Sequence, residues 1–228
     1  MKIVTAHQIE HLGWLGLLDK FSKADLIVLC DSMQFKKNYY ENRNKIRTQD
    51  DWQWLSVHVE AKNHKPMKEI KINNEPHWNK KYLKSIIQNY KKSTYFNTYY
   101  PKLEEIINKN NLYLIDLNTK LLYQIMDWFG IKKEICFLSK LNINPNFKST
   151  DLLVEIAKKT NADRFLAGPS GKNYIEQYKF EKASIEVKFH EFIHPIYKQQ
   201  YEPFIPNMSA IDLLFNYGEE SLKILKGD

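Results

Sequence analysis

In the segment TAHQIEHLGW, His7, Gln8 and His11 stand directly after a short apolar run and directly before a helix-periodic stretch. Histidines at such a junction can donate to an anion held by helix N-terminal amides, or exchange a proton near neutral pH. Capping the turn or packing on Trp14 is the competing role. Further on, DSMQFKKNYYENRNKIR carries Asp31, Gln34, Asn42, Arg43 and Asn44 among the aromatics Phe35, Tyr39 and Tyr40. Asp31 can bind a hydroxyl, an amine or a metal. The amides give directional hydrogen bonds, and Arg43 offers a planar fork to an anion. Such a long polar segment is expected to be a ligand-binding loop, with Lys36, Lys37 and Lys45 as solubilising charges.

Two further groups are candidates for the same site. In AGPSGKNY, Gly168 and Gly171 permit close backbone approach, and Ser170, Lys172 or the turn amides can hold an anion. The segment lacks P-loop spacing, and an ordinary β-turn explains its glycines equally well. In HEFIHPIYKQQYEPFIPNMS, His194, Tyr197, Gln199 and Ser209 are polar groups that can approach a ligand or pack as a loop. No Ser/His/Asp order and no Gly-x-Ser-x-Gly elbow points to hydrolase chemistry. Cys30 and Cys136 lie in apolar segments without metal-ligand spacing, and are expected to be buried, reduced thiols. The aromatic set Tyr95, Phe96, Tyr99 and Tyr100 has the spacing of a helix core.

The elements that must position these residues read as α/β. KIVTA, then a helix period at Leu12, Leu15, Leu18 and Phe21, then DLIVLCD, give strand, helix, strand. This order predicts a three-layer, Rossmann-like parallel sheet including Ile3 to Ala6, Leu26 to Asp31 and Phe165 to Ala167. Ligands of open parallel sheets bind beyond the carboxyl ends of the strands, so His7 to His11 and Asp31 to Arg43 are expected on one rim. QWLSVHVE reads as a strand paired with MKEIKIN across a turn at Asn63 to Pro66. From Pro76 to Gly130 the pattern is helical, an insertion or cap that opens on a proline and closes on a glycine. Ser149 or Thr150 is expected to cap a helix leading to RFLAG, IEVKFHEF adds a strand, and Ser209 is placed to cap the closing helix. A single domain over 1–228 fits the length.

Composition narrows the class. No apolar run approaches the roughly 18 residues that span a bilayer, which excludes an integral membrane protein. The N-terminus has no apolar signal core, so a cytoplasmic location is expected. The net charge of +7 fits a nucleic-acid or phosphate partner, but lysines are spread through the whole chain and no basic arm or RNA-recognition signature stands out.

The blocks HQIEHLGWLGLLDKFSKADLIVLCDSMQFKKNYYENRNKIRT, WQWLSVHV, FLAGPSGKNYI and HPIYKQQYEPFIPNMSAIDLLFNYG resemble, in the same order, those of the WbqC-like family. The family usually has a proline after His-Gln and an aromatic-x-Pro-Trp, where this chain has Ile9 and HLGW, so His11 inherits no role. The resemblance implies work on O-antigen or a related surface glycan of the lipopolysaccharide type, as a glycine or other aminoacyl transferase. HQIEHLGW and MSAIDLLFNYGEE are also distantly similar to nucleotidylyltransferase-like Rossmann folds, with Trp14 and Asp212 where that pattern has a histidine and an arginine.

These expectations combine into a transferase that acylates an amino sugar or nucleotide sugar. His7 is the candidate base and Asp31 the group that orients the amine. Gln8, Gln34, Asn42, Arg43 and Asn44 are candidate binders. The activated donor, whether aminoacyl-tRNA, acyl adenylate or carrier-protein thioester, is not distinguished by any motif, and no metal motif is present. The alternatives are a nucleotidylyltransferase-like enzyme and a non-catalytic nucleotide-sugar-binding protein.

Overall fold

The computed structural model describes residues 1–60, 65–74 and 77–227. In chain order the elements are β1 (Ile3–His7), α1 (Leu15–Ser22), β2 (Leu26–Leu29), β3 (Arg43–Arg47), β4 (Trp52–Ser56), β5 (Val59–Glu60), β6 (Lys71–Ile72), α2 (Trp78–Tyr90), α3 (Phe96–Asn108) and α4 (Leu114–Trp128). They continue with β7 (Glu134–Phe137), α5 (Ser149–Lys159), β8 (Arg164–Ala167), α6 (Gln177–Lys182), β9 (Glu186–Phe189), α7 (Ala210–Tyr217) and α8 (Ser221–Lys226). The chain divides into two compact units. The first is Met1–Gln8, Leu18–Ser32 and Lys132–Ile193; the second is Ile9–Leu17, Met33–Ile131 and His194–Asp228.

The first unit is the expected parallel α/β sheet. Its five strands run in the order β7-β2-β1-β8-β9, every neighbouring pair parallel. All four residues of β2 are buried, as a strand covered on both faces requires. Alternation along β1 sends Val4 to one face and Ile3, Thr5 and His7 to the other. Val4 joins Val28, Phe165, Val154, Ile156 and Phe180 in a core that packs α5 and α6 on its own side. On the opposite face His7 meets Phe21 of α1 edge-on, 6.2 Å between centroids. Helices therefore cover both faces of the sheet. The strands end a little differently from the reading of the sequence: β1 includes His7, and β2 stops at Leu29, before Asp31.

The second unit carries the helical stretch expected over Pro76 to Gly130, as α2, α3 and α4; Pro76 itself lies outside the described residues. Gly130 ends α4 at φ +66, with its own N–H donating to Asp127 O at 2.9 Å and the N–H of Ile131 to Met126 O at 2.8 Å. This is the left-handed C-terminal turn that glycine adopts without a Cβ clash. Phe96, Tyr99 and Tyr100 are buried, as core residues.

Several local expectations are corrected. Trp52–Ser56 pairs with β3 and not with MKEIKIN; among the described residues Val59–Glu60 pairs with Lys71–Ile72. The β3 strand contains one aliphatic residue, Ile46, so it carries little hydrophobic signal, yet Asn44 and Ile46 are buried while Arg43 and Lys45 lie over Trp54 and Trp52, each at 4.0 Å. Arg43 and Asn44 are thus strand residues, not loop residues. The expected turn at Asn63 to Pro66 falls largely outside the described residues. Lys148, not Ser149 or Thr150, holds the cap position of α5; the Thr150 hydroxyl instead donates to Tyr174 O and accepts from Glu176 N–H. Ser209 does precede α7 but makes no side-chain cap bond; its backbone N–H donates to Lys45 O and it forms a bridge with Trp14. Among the described residues no helix is long and apolar enough to cross a membrane.

Candidate active site

In the sheet unit, three strand ends carry ionisable groups. At the end of β1, Lys20 Nζ lies 2.9 Å from His7 Nδ1 and 3.4 Å from Ala6 O. Lys20 is buried, and an ammonium can only donate. Nδ1 of His7 is then the acceptor and Nε2 carries the hydrogen. Gln8 follows, half-buried, as the last residue of this stretch.

Beyond β2, the buried Asp31 carboxylate accepts from the Ser139 backbone N–H at 3.0 Å and from the Ser139 hydroxyl. It ties the end of β2 to the turn that follows β7. The neighbouring Cys30 thiol is pushed up to about 12 by burial, far from a reactive thiolate.

At the end of β9, His190 Nε2 lies 2.6 Å from Asp19 Oδ2, and Lys23 Nζ reaches the same oxygen at 2.6 Å. Burial pushes the Asp19 carboxyl up, but the hydrogen bonds from His190 and Lys23 outweigh it and hold the group below its ordinary value. His190 lines a cleft of about 720 Å³ together with Ile3, Lys23, Arg164, Leu166 and Lys188. Gly168 caps the 3-10 turn Pro169–Asn173 that follows β8, and Ser170 and Gly171 lie within it. A Cβ on Gly171 would come 2.9 Å from Ile175 and 3.2 Å from Phe189, so packing accounts for that glycine. Gly168 has open space and Ser170 is exposed.

In the helical unit, the polar groups singled out by the sequence are mostly joined to one another or to backbone. His11 is fully buried, with Nδ1 2.9 Å from Asn118 Oδ1 and Nε2 2.7 Å from Tyr82 Oη. Asn118 uses its Nδ2 to donate to Ile9 O and Glu41 O, so its oxygen accepts and the His11 proton sits on Nδ1. Burial lowers the His11 pKa to about 4. Asn44 Nδ2 donates to His11 O and Gly13 O, fastening a turn in which Leu12 and Gly13 both have positive φ. Asn42 accepts from Asn38 N–H and donates to Val57 O. Arg43 stacks on Trp54, while Gln34 is exposed, with its backbone bridged to Pro66.

The last group surrounds Asp212, which accepts from Tyr90 Oη and Tyr197 Oη, each at 2.8 Å, and from Gln199 Nε2 at 3.0 Å. Burial nevertheless leaves its carboxyl above the usual value. Gln199 also pairs in both directions with Ile205, and His194 donates from Nδ1 to Pro195 O and accepts the Asn207 N–H. The Ser209 hydroxyl is buried without a hydrogen-bond partner among the described residues.

Among the expected site residues, then, His7, Gln8, Asp31, Gly168, Ser170 and Gly171 belong to the sheet unit. Gln34, Asn42, Arg43, Asn44, His194, Tyr197, Gln199 and Ser209 belong to the helical unit. Asp19, Lys20 and His190 are not among the residues that the sequence singles out. A signal for them is nonetheless there: Asp19 and Lys20 interrupt an apolar helix face between Leu18 and Phe21, where buried charges demand partners, and His190 ends a strand. Among the described residues no three His, Cys, Asp or Glu side chains converge as a metal-ligand set.

Comparison with known proteins places the chain among relatives of similar length. It is 28% identical over 230 residues to the uncharacterized protein Rv1507c of Mycobacterium tuberculosis (strain ATCC 25618 / H37Rv), covering 99% of this chain and 98% of the relative. No solved structure matches. The model of the WbqC-like protein family matches residues 8–224, from the end of β1 into the last helix and across both units, and the chain therefore belongs to the WbqC-like family.

Proposed function

We propose that this protein is a cytoplasmic transferase that acylates or aminoacylates the amine of an amino sugar during surface-polysaccharide biosynthesis, and that its two units work as one domain. The observation that carries this reading is the Lys20–His7 pair at the carboxyl end of β1, the rim at which parallel α/β sheets bind ligands. Acyl transfer passes through a tetrahedral oxyanion, which needs donors already in place. An ammonium and an imidazole N–H have the chemistry of such donors. Within the sheet unit, further substrate contacts are assigned to Gln8, Asp31 and the 168–171 turn. The donor is an activated ester, adenylate or thioester, on tRNA, nucleotide or carrier protein.

The direct test is mass spectrometry of the surface glycan from a strain lacking the protein. A missing acyl or aminoacyl substituent, restored by the wild-type gene and not by a His7→Gln variant, is the expected result. An unchanged glycan overturns the reading. A thermal-shift series with nucleotide sugars, ATP and CTP addresses the nucleotide-transfer alternative, since a ligand of the folded state raises apparent stability. Stabilisation by ATP or CTP with magnesium, and by no sugar nucleotide, would favour that alternative.

A further inference from the structure

We infer that His190 is a proton acceptor positioned by Asp19, and that the cleft it lines binds a phosphorylated amino sugar whose amine it deprotonates. The identity of that substrate rests on the transferase reading; the acid–base pair does not.

The geometry separates His190 from the other histidines near strand ends. Asp19 is buried and ionised, fixed by Lys23 on one side, and it takes the Nε2–H of His190 at 2.6 Å. A carboxylate at that nitrogen holds the imidazole in one tautomer and one orientation, leaving the lone pair on Nδ1. Nδ1 makes no hydrogen bond among the described residues, and it is not one of the buried atoms left without a partner. His190 can therefore receive a proton at Nδ1 while Asp19 stabilises the imidazolium that results. His7 is arranged the other way, with Nδ1 taken by Lys20.

The cleft suggests what delivers the proton. At about 720 Å³ it falls within the ordinary range of small-molecule sites. Ile3 and Leu166 supply an apolar wall for a sugar ring. Three of its cations are already paired: Lys23 with Asp19, Arg164 with Glu186 and Lys172 with Glu191. Lys188 is the lining cation that has no ion-pair partner among the described residues, and it leaves one positive charge for a phosphate. In the transfer step the amine nitrogen attacks the donor carbonyl carbon and forms the new N–C bond. The bond from that carbon to the leaving oxygen or sulfur breaks, and the leaving group departs with its electron pair. The proton released by the amine goes to His190 Nδ1.

The test uses the whole chain, labelled at histidine ring nitrogens, with glucosamine 1-phosphate as the probe. In the wild type, long-range nitrogen–proton NMR should show His190 as the Nε2–H tautomer, and Asp19→Asn should shift it toward the Nδ1–H form, which loss of a merely structural contact would not do. Titration of the probe should move the His190 ring nitrogens saturably, and Lys188→Ala should weaken that binding about tenfold, the effect of one charge-assisted contact. An Nδ1–H tautomer in the wild type, or His190 resonances that ignore the probe, overturns the inference without relying on any variant that might misfold. The two readings fail separately. A glycan that loses its substituent in the deletion strain but regains it fully with His190→Gln keeps the transferase and removes His190 from it. An unchanged glycan removes the transferase, while the tautomer and the probe response still decide the pair and its cleft.

Discussion

His11 in the helical unit and His190 in the sheet unit are both almost inaccessible to solvent, yet the first uses both ring nitrogens on protein partners and the second uses one. The same contrast extends to their surroundings. Around His11 and Asp212 the donors and acceptors of Asn118, Tyr82, Asn44, Tyr90, Tyr197 and Gln199 point at one another or at backbone, which is how buried polar groups hold loops in one conformation. At the sheet rim, Asp19 satisfies one side of the His190 imidazole, which borders a cleft. Burial alone does not separate a structural polar group from a reactive one. The count of satisfied valences does.

The contrast can be broken most severely at Asp212. Asp212→Ala strands two tyrosine hydroxyls and the Gln199 amide, and should cost about 4 kcal/mol, whereas Asp212→Asn, which keeps an acceptor oxygen, should cost much less. Urea unfolding midpoints measure both. Equal losses would mean that charge, not hydrogen-bond satisfaction, governs the network.

His11 offers a pH test of the same idea. The unfolded chain protonates this ring near 6.5 and the folded chain only at about 4. Its contribution is therefore complete above pH 6.5 and is lost as pH falls through 4, about 3 kcal/mol in total. Stability measured from pH 7 down to pH 4 should fall more steeply for the wild type than for His11→Gln, which starts lower at pH 7. Parallel curves would show that His11 is not held neutral by its surroundings.

Two glycines sharpen the comparison at a smaller scale. Gly218 has φ +56, and a Cβ there would sit 2.5 Å from the Tyr95 ring, so Gly218→Ala should cost about 2 kcal/mol. Gly168, at the sheet rim, has φ in the ordinary range, and a methyl group added there would meet nothing within 4 Å, so Gly168→Ala should leave the melting temperature within about a degree or two. The smallest expected effect on unfolding energy among the polar contacts is Ser139→Ala. It removes one of the two bonds to Asp31 while the backbone N–H remains, and should cost about 1 kcal/mol by chemical unfolding.

The parallel sheet was legible because its strands are apolar runs interrupted by a helix-period segment, and that pattern survives in any context that buries both faces. The helical stretch closing on Gly130 was legible for a similar local reason: a left-handed turn has few residues that can occupy it. The β3–β4 hairpin was not, since RNKIR has one aliphatic residue and its strand character comes from cross-strand stacking of Arg43 and Lys45 on tryptophans. Residue type likewise marked His7, Asp31, Tyr197 and Gln199 as polar groups near strand ends or loops. What each nitrogen or oxygen does depends on partners far along the chain, Ser139 for Asp31, Asp212 for Tyr197, Asp19 for His190. The sequence by itself determined the order of elements and the supply of ionisable side chains, because both follow from local pattern. Only the tertiary structure decided which of those side chains are spent on holding the fold and which keep a valence open, because hydrogen-bond satisfaction is set by neighbours in space.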